Sequence, residues 1–247
     1  MSLALDGISV AFGGVRALGE VSFTVEKGGV CGVIGPNGAG KTTLFDVVTG
    51  LRRPDAGRVL VDGADVTGHG AVRRARSGMA RTFQRPQVFG RLTVLENVLT
   101  ALEWRGGGGG LAADLLALPG RGARERARRE RAEAALERCG IADLRAMYAA
   151  ELPIGGRRLV ELARALVDAP KLLLLDEPTS GLDPAQAAVF AEVLAGVDAT
   201  VLLVEHDVGF VMDTCARIVV LDLGRVIAEG TPADVRDDPS VRAAYLG

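Results

Sequence analysis

Short apolar, β-branched runs alternate with stretches of helical spacing along most of this chain. Residues 3–26 alternate apolar and polar positions enough to predict strands, broken at Gly13-Gly14 and again at Gly28-Gly29. Gly29 to Ile34 predicts a short buried strand, and Lys41 to Val48 the start of a helix. Pro54 to Gly57 reads as a turn, Arg58 to Asp62 as a strand ending at Asp62-Gly63, and residues 79–83 as another short strand. Thr93 to Trp104 has helical spacing, with Leu92, Leu95, Val98, Leu99 and Leu102 on one face. The texture then changes. Gly106 to Gly110 are five consecutive glycines, which predict a flexible tract. Residues 121–138 are rich in Arg, Ala and Glu.

A helix from Arg157 to Val167 ends at Asp168-Ala169-Pro170, and Lys171 to Leu175 forms a continuous apolar run typical of a central parallel strand. Helix 184–195, strand Thr200–Val204, a helix near 208–215 and strand Ile218–Leu221 continue the alternation. Gly224 closes a hairpin, and the tail from Pro232 reads as short helices. Alternating β and α elements imply a parallel sheet covered on both faces. The expected organisation is one domain, with residues 1–85 and 157–247 as the α/β core and 86–156 as an inserted helical lobe. The sequence has no internal repeat.

Composition narrows the partners. Hydrophobic residues are 48% of the 247, yet no run approaches the roughly 18–20 apolar residues of a membrane span. Asp6 and Gly7 interrupt the opening apolar stretch, so no signal peptide is expected. A net charge of −2 gives no support to sequence-independent nucleic-acid binding. Cys31, Cys139 and Cys215 lack metal-ligand spacing and read as core or incidental thiols of a cytoplasmic protein. Within 121–138, the pairs Glu125/Arg129, Arg126/Glu130 and Arg129/Glu133 favour a solvated helix over an RNA- or lipid-binding one.

The chemistry centres on Gly35, Pro36, Asn37, Gly38, Ala39, Gly40, Lys41 and Thr42, which fit G-x-x-x-x-G-K-[ST] at every constrained position. A strand precedes this loop and a helix follows it. Loop N–H groups and the helix N-terminus are therefore aimed at phosphate oxygens. Lys41 is expected to reach the β- and γ-phosphates and the Thr42 hydroxyl to bind Mg²⁺. The second anchor is Leu172 to Glu177, an apolar run ending in two carboxylates. Asp176 is placed to hold Mg²⁺ through water, and Glu177 to polarise an attacking water. The chain should bind a nucleoside triphosphate. Asn37 and Asn97 are the only asparagines, so the guanine motif Asn-Lys-x-Asp of a GTPase is absent.

Asp176-Glu177-Pro178-Thr179-Ser180-Gly181-Leu182-Asp183, followed by Val204-Glu205-His206-Asp207, resembles the ATPase subunit of an ATP-binding cassette transporter. The resemblance covers essentially the whole chain. It implies a RecA-like P-loop core with an N-terminal antiparallel β-subdomain and the inserted α-helical subdomain. It makes Asp176 the magnesium carboxylate and Glu177 the catalytic base. His206 becomes the switch histidine at the γ-phosphate, and Gln84, in Arg81-Thr82-Phe83-Gln84, completes the Mg²⁺ shell. The loop residues through Thr43 then hold ATP, and Phe12 stacks on adenine, its alternative being a core aromatic of the β-subdomain. Ser180 to Asp183 would touch an opposing subunit.

One motif departs. The family signature Leu-Ser-Gly-Gly-Gln is here Leu152-Pro153-Ile154-Gly155-Gly156, and the Arg three residues after the Gln is Leu159. The serine hydroxyl and glutamine amide are missing, while proline suits the first turn of a helix. The departure bears on hydrolysis rate more than on nucleotide binding.

Within the family, Ala80 to Gln84, Val204 to Asp207, Glu229 to Pro232 and Ala244 to Gly247 are similar to ATPases of branched-chain amino acid importers. Related members serve urea or other amides, or lipopolysaccharide export. The resemblance implies two ATPase subunits, alike or different, sandwiching two ATPs on the cytoplasmic face of the membrane. It also implies transmembrane permease subunits, docked near Arg85 to Arg91 with Val88 and Phe89 in the groove, and an extracytoplasmic solute-binding protein. A cassette ATPase of cluster assembly or DNA repair would carry the same motifs.

Overall fold

A computed structural model of the chain describes residues 1–103 and 121–246. The glycine tract at 106–110 lies outside the described residues. In chain order the strands are β1 Leu3–Phe12, β2 Val15–Val25, β3 Val30–Ile34, β4 Ala56–Val61, β5 Ala64–Asp65 and β6 Met79–Arg81. They continue with β7 Leu172–Asp176, β8 Thr200–Val204, β9 Arg217–Asp222 and β10 Arg225–Gly230. The helices are α1 Lys41–Thr49, α2 Ala71–Arg76, α3 Val94–Glu103, α4 Arg121–Arg138 and α5 Ile154–Leu166. After them come α6 Pro184–Ala195, α7 Val208–Thr214, α8 Pro232–Asp237 and α9 Pro239–Leu246.

By contacts the chain divides into two units. The first comprises Met1–Gln84, Lys171–Thr179 and Leu194–Gly247, and it holds both sheets. One sheet is antiparallel with order β2-β1-β4-β5; the other has order β10-β9-β3-β8-β7-β6. In the second sheet β6, β7, β8, β3 and β9 run parallel, and only β10 is antiparallel, closing the hairpin after β9. Leu172 to Leu175 and Val201 to Val204 are essentially inaccessible. That burial is why these strands read as unbroken apolar runs rather than alternating ones.

Register positions the chemistry. Val33 of β3 lies opposite Val204 of β8, and Val204 lies opposite Asp176 of β7. The three strands therefore finish level, and the segments after them emerge along one carboxyl edge. Ligands of open α/β sheets bind at that edge.

The second unit comprises Arg85–Pro170 and Ser180–Val193. It therefore includes the helix expected in the core from Arg157, which is part of α5. The reason is amphipathicity: Leu159, Leu162, Ala163 and Leu166 of α5 are buried, as are Val94, Leu95 and Val98 of α3 and Ala132 and Leu136 of α4. On α4, Arg129 pairs with Glu133 at 3.0 Å, and both side chains are solvated.

Candidate functional site

The loop from Gly35 to Gly40 joins β3 to α1. Gly40 caps the helix at φ 101°, and a Cβ there would lie 2.5 Å from the Ala17 carbonyl oxygen. Only glycine meets both conditions, so the helix begins with uncapped N–H groups at the carboxyl edge. Lys41 is 8% exposed, and its ammonium donates to the carbonyls of Gly35 at 2.6 Å and Pro36 at 3.0 Å. Burial lowers its pKa, opposed by the nearby charges of Glu177 and Asp176. Thr42 is exposed beside it.

Across the edge, Asp176 is 4% exposed. Burial raises its pKa, while the Arg81 guanidinium, donating to Oδ2 at 3.0 Å, pulls the other way. Glu177 follows at φ 47°, in the left-handed region that non-glycine residues seldom occupy. Its N–H donates to the Val204 carbonyl at 2.8 Å, which holds the strained backbone against β8. Such strain concentrates where a side chain must be aimed. Gln84 Nε2 donates to Glu177 Oε2 at 2.9 Å, and His206 Nδ1 lies 3.9 Å from the same oxygen. The structure thus brings Lys41, Gln84, Asp176, Glu177 and His206 together within the first unit.

Sequence reasoning passed over two charges here, one fully buried and one nearly so. Glu205 is fully buried, and Oε1 accepts from the N–H and the hydroxyl of Thr179, both at 2.7 Å. Its Oε2 accepts from the His206 N–H at 3.0 Å, so one carboxylate ties the segment after Glu177 to the histidine. Arg81 bridges Asp46 and Asp176. Each stood inside a quoted stretch, but nothing in its spacing announced burial.

Phe12 is 50% exposed, which removes the core-aromatic alternative. The Arg52 guanidinium covers one face of its ring, 3.8 Å from the centroid.

The divergent signature lies in the second unit. Leu152 is buried, and Pro153 is the N-cap of α5 rather than its first helical residue, as expected from sequence. The first-turn N–H groups begin at Ile154. A Cβ on Gly155 would lie 2.0 Å from Gln186 Oε1, so any side chain there would push the end of the Gln186 side chain aside. That same oxygen accepts from the Asp183 N–H at 3.1 Å, while Asp183 Oδ1 accepts from the Gln186 N–H at 2.8 Å. Arg158 Nε donates to the Ser180 carbonyl at 3.2 Å. The signature and the Ser180–Asp183 loop therefore form one interlocked piece.

A strand–loop–helix with a lysine at its base, facing an acid-ended parallel strand, defines a P-loop nucleoside triphosphatase. Comparison with known proteins narrows the class. The ABC transporter family profile matches residues 18–180, and that of the branched-chain amino acid ATP-binding cassette transporter matches 225–247. The chain is 38% identical to the high-affinity branched-chain amino acid transport ATP-binding protein BraF of Pseudomonas aeruginosa, covering 99% of this chain and 97% of BraF. It is 35% identical to the lipopolysaccharide export system ATP-binding protein LptB of Haemophilus influenzae, covering 99% and 97%. Among solved structures, the ADP conformation of an ATP-binding cassette of an ABC transporter superposes with TM-score 0.85. The two are 34% identical, over 100% of this chain and 99% of that one. The chain belongs to the ABC transporter family, as a nucleotide-binding ATPase subunit.

Proposed function

We propose that this subunit powers import of branched-chain or closely related amino acids. The observation that carries this reading is the match of residues 225–247 to the branched-chain amino acid cassette profile, beyond the general cassette match. BraF, alike over nearly its full length, supports it.

In this reading the Gly35–Thr43 loop and Lys41 hold the phosphates of ATP, and the exposed face of Phe12 stacks on adenine. The Thr42 hydroxyl, the Gln84 side-chain oxygen and the Asp176 carboxylate are hard oxygen donors, the set that suits Mg²⁺. Among the described residues no cluster of three or more His, Cys, Asp or Glu side chains forms a metal cage. That accords with Mg²⁺ held by one carboxylate together with substrate phosphates. When bound, Mg²⁺ neutralises charge on the phosphate oxygens. Glu177 takes the proton of the attacking water, with Gln84 fixing its carboxylate, and Lys41 stabilises the charge that develops. His206 contacts the γ-phosphate.

A second ATPase subunit would complete each site through its signature and Asp183. The first-turn N–H groups of α5 replace the missing serine hydroxyl in part, so hydrolysis is slow but real. No helix among the described residues is long and apolar enough to cross a membrane. Transmembrane permease subunits would hold the chain at the cytoplasmic face and receive solute from a binding protein.

The geometry of the segment at 87–89 supports such docking. Asn97 is fully buried, and its amide accepts from the Phe89 N–H at 2.8 Å and donates to the Phe89 carbonyl at 3.0 Å. Arg164 donates to the Gln87 carbonyl and lies over the Phe89 ring, 4.9 Å from its centroid. The backbone is pinned while the Phe89 side chain stays 51% exposed. Changing Val88 and Phe89 to Asp is expected to abolish copurification with the permease and leave ATP affinity unchanged. Loss of ATP binding or unfolding would show that the segment serves the fold rather than a partner.

The test of the whole reading is purification from membranes followed by ATPase assay in proteoliposomes. Permease partners and stimulation by binding protein loaded with leucine, isoleucine or valine are expected. Copurification with soluble proteins alone would sink transport, stimulation by urea would move the substrate to amides, and lipopolysaccharide-export partners would reverse the direction.

A further inference from the structure

Arg81 ends β6, three residues before Gln84, with a side chain only 9% exposed. Nη1 donates to Asp46 Oδ1 at 2.6 Å and to Thr49 Oγ1 at 3.3 Å, both on α1. Nη2 donates to Asp176 Oδ2 at 3.0 Å, at the end of β7. Phe45 and Phe83 flank the guanidinium, with centroids 5.6 and 5.2 Å from its carbon. One planar cation thus joins the helix that starts with Lys41, the strand that ends in Asp176 and the strand that runs into Gln84.

A carboxylate at a strand end rotates about its side-chain bonds unless one oxygen is held. With Oδ2 fixed by a charge-assisted bond, the carboxylate plane is set and its other oxygen points one way. The hold is rigid because the same fork is anchored to Asp46 at its opposite end. A lysine could not reproduce it, since a single ammonium on a flexible stem lacks the planar spread that spans two carboxylates.

We infer that Arg81 is a positioning residue that aims Asp176 at the metal bound with the nucleotide, using Asp46 as its anchor. The inference rests on the reading of Asp176 as the Mg²⁺ carboxylate. Partners that orient a metal ligand are worth about ten- to a hundredfold in metal affinity.

The experiment uses the full chain and a fluorescent ATP analogue, with binding measured in EDTA and across a Mg²⁺ titration. Arg81→Met should leave the EDTA affinity unchanged and raise the Mg²⁺ concentration at half-saturation by about tenfold. Arg81→Lys should behave like Arg81→Met. Asp46→Asn should shift the Mg²⁺ midpoint the same way by less, and add nothing in the Arg81→Met background. Should Arg81→Met fail to fold, Arg81→Lys and Asp46→Asn carry the comparison. Wild-type behaviour in Arg81→Lys would reduce Arg81 to a charge and overturn the inference. So would an EDTA affinity that falls by as much as the Mg²⁺-dependent one, because Arg81 would then only support the phosphate loop. Asp176→Asn separates the two readings. If it leaves the Mg²⁺ midpoint unmoved, the metal role of Asp176 fails; if it shifts the midpoint while the Arg81 variants do not, the role of Arg81 fails.

Discussion

Glu177→Gln is expected to lower ATP turnover at least about a hundredfold, the scale of a positioned general base, while nucleotide binding survives. The amide keeps the size of the carboxylate and an oxygen for the Gln84 Nε2 donor, now 2.9 Å away, so the local geometry is retained. What is lost is the capacity to take a proton. Lys41 and Asp176, assigned to nucleotide and metal in the proposed mechanism, are untouched. Single-turnover assays beside equilibrium binding separate the two effects, since a group acting only in the transition state lowers turnover without weakening binding. An ATP-bound dimer should accumulate and be visible by size-exclusion chromatography. Near-normal turnover would remove Glu177 from the role of base. Parallel loss of binding would instead mean that the left-handed backbone at this position, φ 47°, had failed to hold.

Arg74→Met should cost about 2–4 kcal/mol of stability, from a buried carbonyl left unsatisfied and a cation lost from a helix C-terminus. Arg74 on α2 is 2% exposed, and its guanidinium donates to five backbone carbonyls. Nη1 donates to Val47 at 2.7 Å and Val48 at 2.6 Å, carbonyls in the last turn of α1. Nη2 donates to Val66 and Thr67, and Nε to His69. The cation therefore sits at the negative end of the phosphate-loop helix, where its charge is favourable even without a carboxylate in contact. Burial pushes its pKa down from the ordinary arginine value, opposed by the Asp65 charge. Methionine fills much of the space but donates nothing; the Val48 carbonyl is left unsatisfied at about 1–3 kcal/mol, while Val47 keeps the Gly50 N–H at 3.1 Å. Urea denaturation measures the loss, and the melting temperature should fall on the order of 10 °C. A loss below about 1 kcal/mol would show that water replaces the guanidinium, and the capping argument would be wrong.

The strands and helices that carry the site were legible in the sequence because their signals are local. Val30 to Ile34, Leu172 to Asp176 and Thr200 to Val204 are apolar runs bounded by turn residues, and their strand assignment needs nothing distant. The phosphate loop was equally plain, since its glycines, lysine and threonine lie within eight residues of chain. Family resemblance then joined Gln84 and His206 to that loop, which no periodicity would have done. The extent of the helical unit was less legible. The apolar face of α5 fits a helix of the core as well as one of the lobe, and only its packing decides.

Three charges, Arg74 and Glu205 buried and Arg81 nearly so, were set by tertiary structure alone. Arg74 meets carbonyls 26 and 27 residues away, Glu205 meets Thr179 across 26 residues, and Arg81 meets Asp46 across 35 and Asp176 across 95. In the sequence each reads as an ordinary charged residue beside a strand or on a short helix. Gly155 is similar, because the side chain that lies against it belongs to Gln186, 31 residues on in the chain. Local pattern determined which segments are strands, helices and phosphate loop, since backbone geometry and hydrophobic period act within a few residues. The fold alone decided which charges lie inside and what they brace. A buried ion is stable only where distant groups converge on it.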